Sequence, residues 1–124
     1  MSQQTKPANV LVVDDDPVIR DMMVDILEFE GYPVQVVRNG NEALHILRGQ
    51  GNFLVFLDLM MPGLSGKDVS AILDAEPHVR NRHVIVMMTA MDKLDQAQSL
   101  HIDTIIFKPF VVEDVMHVIE KYMV

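Results

Sequence analysis

The amino-acid sequence predicts an α/β fold, a doubly wound sheet of five parallel strands with helices on both faces. Two observations predict it. Five short apolar runs alternate with five segments of helical periodicity, and only a few residues connect one to the next. The runs, such as "FLVFLD" at 53–58 and "HVIVMMT" at 83–89, are apolar almost throughout, as expected of strands buried on both faces. Strands and helices that alternate in this way favour a parallel sheet.

Each predicted element has a local reason. The predicted strands are 10–13, 33–37, 53–58, 83–89 and 104–107. The predicted helices are 18–27, 41–48, 67–75, about 92–100 and 112–123. Apolar residues three and four positions apart mark the helices, and the last is the clearest, with Val112, Val115 and Ile119 on one stripe. Gly31 and the segment "GQGN" at 49–52 end the first two helices.

Length and composition indicate one globular domain. The 124 residues fit a single domain, 1–124, with an ordered core expected at about 8–123. Hydrophobic residues make up 49% and charged residues 23% of the chain, which is ordinary globular usage. No apolar run approaches the roughly 18 to 20 residues of a membrane span, so no membrane contact is expected.

Charge and cysteine content narrow the function further. A formal net charge of −8 disfavours direct binding to nucleic acid, where Lys and Arg must neutralise phosphates. The chain has no cysteine, which excludes disulfides and thiolate chemistry. The N-terminal "MSQQTKPAN" lacks the basic and apolar regions of a secretory signal, so we expect a cytoplasmic protein.

Chemically reactive side chains stand where the predicted strands end. Asp14 and Asp15 follow the first strand, Asp58 ends the third, Thr89 ends the fourth and Lys108 follows the fifth. Ligands of doubly wound sheets bind outside the carboxyl ends of the strands. The sequence therefore predicts that these five residues meet at one edge of the sheet.

The three consecutive acids have different explanations. Asp16 precedes Pro17, and this pair is typical of a helix N-cap followed by the first helical residue. Asp14 and Asp15 have no such local role, and an acidic pair beside Asp58 would be destabilising without countercharge. Mg²⁺ takes one or two carboxylates, a carbonyl and several waters, so the acids predict a magnesium site.

Asp58 is the candidate nucleophile. A carboxylate can attack phosphorus and form an aspartyl phosphate. Lys108 would act as a point charge on the phosphoryl group, and the Thr89 hydroxyl would donate to one of its oxygens. A purely structural alternative is that Lys108 forms a salt bridge to Asp58, and that Thr89 is a β-branched residue that ends a strand.

Four segments together resemble the receiver domain of two-component response regulators. They are "VVDDDP", "LDLMMPGLSG", "MMTA" and "FKPF", in this order and each after a predicted strand. The resemblance covers nearly the whole chain. It implies a flavodoxin-like sheet with strand order 2-1-3-4-5, and a histidine kinase or phosphotransfer protein that donates the phosphoryl group of its phosphohistidine to Asp58.

The resemblance also implies a role for individual residues. Asp15 and Asp58 would bind Mg²⁺ directly, the backbone carbonyl of Met60 would be a third ligand, and Asp14 would act through a metal-bound water. Gly66 matches the loop that follows the phosphorylated strand. The peptide bond between Lys108 and Pro109 matches one that is commonly cis in the family.

One position departs from the family pattern, and two others bear on the lifetime of the phosphoryl group. Receivers usually carry Tyr or Phe three residues before the lysine, where this chain has Ile105, which cannot exchange a polar tip between solvent and core. Met60 and Met91 stand two residues after Asp58 and Thr89, at positions thought to tune phosphoryl lifetime. Neither methionine can orient a water for in-line attack, so we expect a long-lived phosphorylated form.

Three functions are compatible with these residues. The first is a signalling domain that catalyses its own phosphorylation and dephosphorylation but is not a turnover enzyme. Its unknown downstream protein target, or a second copy in a homodimer, would bind the face of the fourth helix, fifth strand and fifth helix. The second is a phosphorylation-independent interaction domain, which Ile105 favours. The third is an aspartate-nucleophile phosphatase, which Met60 disfavours because such enzymes carry a second acid there.

Overall fold

Five parallel strands and six helices make up residues 6–124, the part of the chain that the computed structural model describes. The strands are β1 (Asn9–Val13), β2 (Val34–Val37), β3 (Phe53–Asp58), β4 (Val84–Ala90) and β5 (Thr104–Lys108). The helices are α1 (Pro17–Phe29), α2 (Gly40–Arg48), α3 (Gly66–Asp74), α4 (Pro77–Arg80), α5 (Leu94–Gln98) and α6 (Val112–Tyr122). None of these helices is long and apolar enough to cross a bilayer.

The sheet has the strand order β2-β1-β3-β4-β5, with every neighbouring pair parallel. This confirms the predicted α/β class and strand order. The registers align the carboxyl ends of the three central strands. Val13 lies opposite Leu57, and Asp58 lies opposite Met88. The residues that follow β1, β3 and β4 therefore emerge side by side at one edge.

Side chains alternate between two hydrophobic clusters, one on each face of the sheet. Leu11 and Val13 enter the cluster covered by α2, α3 and α5. Val10 and Val12 enter the cluster covered by α1 and α6. Since both faces are covered, all six residues of β3 are buried, which explains why its sequence is apolar without alternation. Each fully buried Leu, Val or Phe contributes on the order of 1.5–3 kcal/mol of transfer free energy.

Helix starts follow the capping residues in the sequence. The Asp16 carboxylate accepts a hydrogen bond from the Val18 N–H at 2.9 Å, which confirms Asp16 as the N-cap of α1. Ser65 and Asp68 form a reciprocal capping box at the start of α3. The first of these caps fixes where the chain turns from the acidic segment into α1.

Two features of the region between β3 and β5 differ from the prediction. The helix α4 was not expected, because a helix of four residues is too short to show helical periodicity. Its first residue is Pro77, a residue type that suits the first position of a helix. The helix predicted at about 92–100 is a 3₁₀ turn, Met91–Lys93, followed by the five-residue α5 that ends before Ser99. Other helix and strand ends differ from the prediction by at most two residues, within the range over which assigned ends vary.

Buried polar side chains away from the predicted site are paired within the scaffold. The His83 Nδ1 accepts from the Phe53 N–H at 3.1 Å, so Nε2 carries the proton and donates to the Leu47 carbonyl at 2.9 Å. Burial lowers the pKa of His83, in keeping with this neutral form. The Arg80 guanidinium lies 2.9 Å from the Asp103 carboxylate and donates to the His83 carbonyl at 2.8 Å. These groups stabilise the end of the sheet opposite the acids.

Gly66, the first residue of α3, packs directly on the backbone that carries Asp58. Its N–H donates to the Leu59 carbonyl at 3.1 Å. A Cβ at this position would lie 2.8 Å from the Asp58 carbonyl carbon and 3.1 Å from the Leu59 Cα, and would overlap the Asp58 carbonyl oxygen. Only glycine allows α3 to begin this close to the end of β3.

We predict that Gly66→Ala destabilises the fold by about 1–3 kcal/mol, because the added methyl must displace backbone rather than a flexible side chain. The measurement is the free energy of unfolding in urea. Gly49→Ala is the matched control, since its Cβ would lie 3.3 Å from the nearest atom, the Ile46 carbonyl oxygen. Equal losses in the two variants would contradict the packing argument.

Candidate functional site

The sequence-predicted acids meet at the carboxyl edge of the sheet. Asp14 and Asp15 follow β1, and Asp58 is the last residue of β3. One carboxylate oxygen from each lies within 4.8 Å of the other two. Asp14 and Asp58 are buried, whereas Asp15 is exposed. The cluster thus joins an interior pair to a carboxylate that faces solvent.

Lys108 reaches this cluster from the end of β5. Its Nζ lies 2.7 Å from Oδ2 of Asp14 and 3.3 Å from Oδ1 of Asp58. The expected contact with Asp58 is therefore present, but the shorter ion pair is with Asp14. The peptide bond between Lys108 and Pro109 is cis, as the family resemblance implied. The lysine places one positive charge between two buried carboxylates.

Asp14 is fixed by contacts that sequence reasoning missed. Its Oδ1 accepts a hydrogen bond from the Asp16 N–H at 2.9 Å. Its backbone carbonyl accepts from the Arg20 guanidinium at 2.8 Å. The ion pair with Lys108 spans 94 positions of the chain, so no local pattern could reveal it. Arg20 carries no sequence signal for this role either, because an arginine in the first turns of a helix is common and usually faces solvent.

The electrostatics of the site are dominated by burial and by the crowding of carboxylates. Burial raises the pKa of Asp58 to about 7, and the negative charge of Asp14 adds to the effect, while Lys108 and the Met60 N–H oppose it. Burial lowers the pKa of Lys108, but its hydrogen bond to Asp14 and the charges of both acids outweigh this and raise the pKa overall. The positive charge and hydrogen bonds that the protein supplies therefore do not offset the burial of the Asp58 carboxylate and its repulsion from Asp14.

Thr89 and Met60 also lie beside Asp58. Thr89 is buried in β4, one residue past the Asp58–Met88 pair, and its hydroxyl donates to the Ala90 carbonyl at 3.1 Å. The Met60 N–H lies 3.4 Å from Oδ1 of Asp58, a long hydrogen bond. The Met60 side chain is exposed.

The remaining predicted residues lie farther along neighbouring elements. Met91 begins the 3₁₀ turn after β4, and its side chain is exposed. Ile105 lies in the middle of β5, is half-buried and packs against the cluster under α2, α3 and α5. The structure thus brings Asp14, Asp15, Asp58 and Lys108 into one group, with Met91 at its rim and Ile105 in the sheet below.

The donor set suits a hard cation. Three carboxylates offer oxygen ligands within reach of one ion, and this is the only such group of metal-binding side chains among residues 6–124. A cation there would supply the countercharge that one lysine does not. Nitrogen and sulfur ligands, which softer metals prefer, are absent from this group.

A doubly wound sheet with an acidic cluster and a lysine at its carboxyl edge defines the receiver class of signalling domains. Comparison of sequences gives the same result. Residues 10–120 match the response regulator receiver domain family, and the chain belongs to this family.

Individual relatives extend this assignment. The chain is 39% identical over 109 residues to the DNA-binding response regulator MtrA of Mycolicibacterium smegmatis, a match that covers 86% of this chain and 46% of MtrA. The chain therefore spans about half the length of the curated relatives it matches.

Solved structures share the fold. A CheY-like receiver domain protein from Methanospirillum hungatei has a TM-score of 0.76 at 31% identity, covering 92% of this chain and 90% of that one. The response regulator TrrA of Thermotoga maritima, solved in complex with Mg(2+)-BeF, has a TM-score of 0.77 at 29% identity, covering 92% and 97%.

We predict that Asp58→Asn is more stable than the wild type in metal-free buffer, and by a larger margin at pH 8 than at pH 5. The pKa of Asp58 is raised from 3.8 to about 7, so the stability due to its protonated form is complete below 3.8 and is lost as the pH rises through 7. Asparagine is neutral throughout, so the difference between variant and wild type should grow by about 2 kcal/mol from pH 5 to pH 8.

Urea unfolding at the two pH values measures this difference. The exposed Asp25 on α1 supplies the matched control, Asp25→Asn. A pH-independent difference for Asp58→Asn, or an equal change in the control, would show that burial does not perturb Asp58.

Proposed function

We propose that this chain is a phosphoacceptor domain, in which Asp58 receives a phosphoryl group from the phosphohistidine of a histidine kinase or phosphotransfer protein in a Mg²⁺-dependent reaction. The observation that carries the proposal is the position of Asp58. It is a buried carboxylate at the end of a central strand, with Lys108 at 3.3 Å and two further carboxylates close by. The proposed output is a change in the surface of the domain.

The reaction requires a nucleophile and a countercharge. A carboxylate oxygen of Asp58 attacks phosphorus, the bond between phosphorus and the histidine nitrogen breaks, and an aspartyl phosphate forms. Only ionised Asp58 can attack, so positive charge that opposes its raised pKa favours the reaction. Lys108 provides such charge, and its ammonium can exchange a carboxylate oxygen for a phosphoryl oxygen without leaving the site.

The metal ligands are proposed by position. Asp15 and Asp58 would bind Mg²⁺ directly, together with the Met60 backbone carbonyl, and Asp14 would act through a water. The bound ion would supply positive charge to the phosphoryl oxygens. The complex of the similar TrrA with Mg(2+)-BeF supports this proposal.

Thr89 and Lys108 are the residues through which phosphorylation would bias the conformation. The Thr89 hydroxyl would give up its hydrogen bond to the Ala90 carbonyl and donate to a phosphoryl oxygen. A ligand shifts a conformational equilibrium by its differential contacts with the two states, and these two side chains would supply them. Ile105 would respond only by apolar repacking, because it has no polar atom to expose.

Exposed apolar side chains around the site suit a protein donor. Val18, Met60, Met91, Val111 and Val112 are all exposed, and all follow the carboxyl end of a strand. They lie on the segments that follow β1, β3, β4 and β5, so a partner would gain apolar contacts while its phosphohistidine approaches Asp58.

The same reasoning assigns the other partners. The net charge of −8 favours a protein target over direct contact with nucleic acid for this domain. The face of α5, β5 and α6 is the proposed surface for that target or for a homodimer. A cytoplasmic location is proposed as well, since a chain without cysteine is compatible with a reducing compartment.

We predict that acetyl phosphate with Mg²⁺ adds one phosphoryl group to the wild type and none to Asp58→Asn, because asparagine cannot form an acyl phosphate. Intact-mass spectrometry measures the gain. Removing Mg²⁺ with a chelator should reduce the wild-type gain to the level of the variant. Asp25→Asn, which alters an exposed acid on α1, should be modified like the wild type.

The outcome separates two candidate functions. A wild type that gains no mass would favour a phosphorylation-independent interaction domain, to which the apolar Ile105 at the switch position lends support. Modification that persists in Asp58→Asn would place the phosphoacceptor elsewhere and overturn the proposed site.

We predict that Met60→Asn and Met91→Glu lose the phosphoryl group about three- to tenfold faster than the wild type. Each introduces a group that can hold water near phosphorus, although less effectively than a positioned general base. Decay of the phosphorylated mass after removal of acetyl phosphate gives the rate. Met116→Gln, on α6 and half-buried, is the control. Equal or slower loss in both variants would count against a shielding role for the methionines.

A further inference from the structure

Among the methionines of residues 6–124, the two that are exposed follow Asp58 and Thr89 by two positions each. The sequence has ten methionines, and all except Met1 lie in the described residues. Met60 is 54% exposed and Met91 is 68% exposed. The other seven are buried or half-buried: Met22, Met23, Met61, Met87, Met88, Met116 and Met123. Core filling therefore explains those seven methionines but not Met60 and Met91.

The two exposed methionines lie on adjacent loops. Met60 is two residues past Asp58, and its N–H contacts the Asp58 carboxylate. Met91 is two residues past Thr89, and the strands that precede the two loops pair at Asp58 and Met88. Because more than half of each side chain faces solvent, packing explains methionine at these two positions less well than it does in the core.

From this distribution we infer that Met60 and Met91 form a redox-sensitive modification site that controls the lifetime of the phosphoryl group on Asp58. The inference rests on the proposed phosphoacceptor function. A thioether lone pair attacks one oxygen of hydrogen peroxide, an S–O bond forms as the O–O bond breaks, and the hydroxide that leaves takes the proton of the new S–OH group to become water. Sulfur is oxidised by two electrons to the sulfoxide and the peroxide is reduced, and a thiol-dependent sulfoxide reductase reverses the change.

Oxidation changes the polarity and the hydrogen-bonding capacity of the Met60 and Met91 side chains. The thioether is apolar and a weak acceptor, whereas the sulfoxide is polar and has an oxygen that accepts hydrogen bonds. A sulfoxide on Met60 or Met91 would hold water beside the phosphoryl group and speed its hydrolysis. Peroxide would thereby shorten the signal without altering the nucleophile.

The first test is where oxidation occurs. The full chain is treated with hydrogen peroxide at low excess, and peptide mass mapping follows each methionine over time. Met60 and Met91 should form sulfoxide before any other methionine in residues 6–124. Met116 and Met123, which are half-buried on and after α6, are the internal comparison. Equal or earlier oxidation of these two would overturn the assignment of a selective site.

The second test is the phosphoryl lifetime. Peroxide-treated and untreated samples of each protein are phosphorylated with acetyl phosphate and Mg²⁺, and loss of the phosphorylated mass is followed. Oxidation should accelerate loss from the wild type on the order of threefold, again well below what a positioned base supplies. Each variant is compared with its own untreated sample. The double variant Met60→Leu with Met91→Leu should be insensitive to peroxide, and Met116→Leu should respond like the wild type.

The outcomes distinguish the two proposals. A wild type that gains phosphoryl mass and decays at the same rate before and after oxidation refutes the inference while leaving the phosphoacceptor function intact. A wild type that never gains mass refutes both. Faster decay that is abolished in the double leucine variant and reversed by methionine sulfoxide reductase supports the inference, because a general loss of packing would not be reversed by repairing two side chains.

Discussion

The ion pairs of Lys108 with Asp14 and Asp58 are the constraint on which the rest of the site depends. β1 and β5 are not neighbours in the sheet, and β3 and β4 lie between them. The lysine therefore reaches across the carboxyl edge and links the two strands that lie farthest apart in sequence among those that carry the site. Without that charge, two buried carboxylates would face one another with little solvation, an arrangement that strongly destabilises a fold.

This arrangement leaves the charge of the site incompletely balanced. One ammonium group serves two buried acids, and Asp58 retains a pKa of about 7 in the protein alone. Such a site gains stability from a cation and from an incoming group whose charge Lys108 can share. The same property makes the site responsive, because any change in charge at Asp58 redistributes the contacts of Lys108 and hence of the end of β5. The ion pairs of Lys108 thus both stabilise the buried acids and make the end of β5 sensitive to the charge on Asp58.

Membership of the receiver family explains the acids, the lysine and the strand order, but not the apolar character of the surroundings. Ile105 occupies the position where an aromatic side chain is usual, and two methionines flank the phosphoacceptor. The side chains of Met60, Met91 and Ile105 offer no polar group that could move a proton or position a water. The chemistry of this particular domain is expected to depend on what enters the site from outside, namely a cation, a donor protein or an oxidant.

The sequence by itself determined the fold class, the position of all five strands and the identity of the residues at the carboxyl edge. It could do so because strands buried on both faces must be apolar throughout and because parallel strands end together. It did not reveal α4, whose single turn has no periodicity, nor the division of the helix predicted at about 92–100. Only the tertiary structure decided that Lys108 pairs most closely with Asp14 and that Arg20 contacts the same segment. It alone also decided that Met60 and Met91 are exposed while the other methionines of residues 6–124 are buried or half-buried. Partner choice and burial depend on contacts between residues far apart in the chain, and these contacts exist only once the sheet has formed.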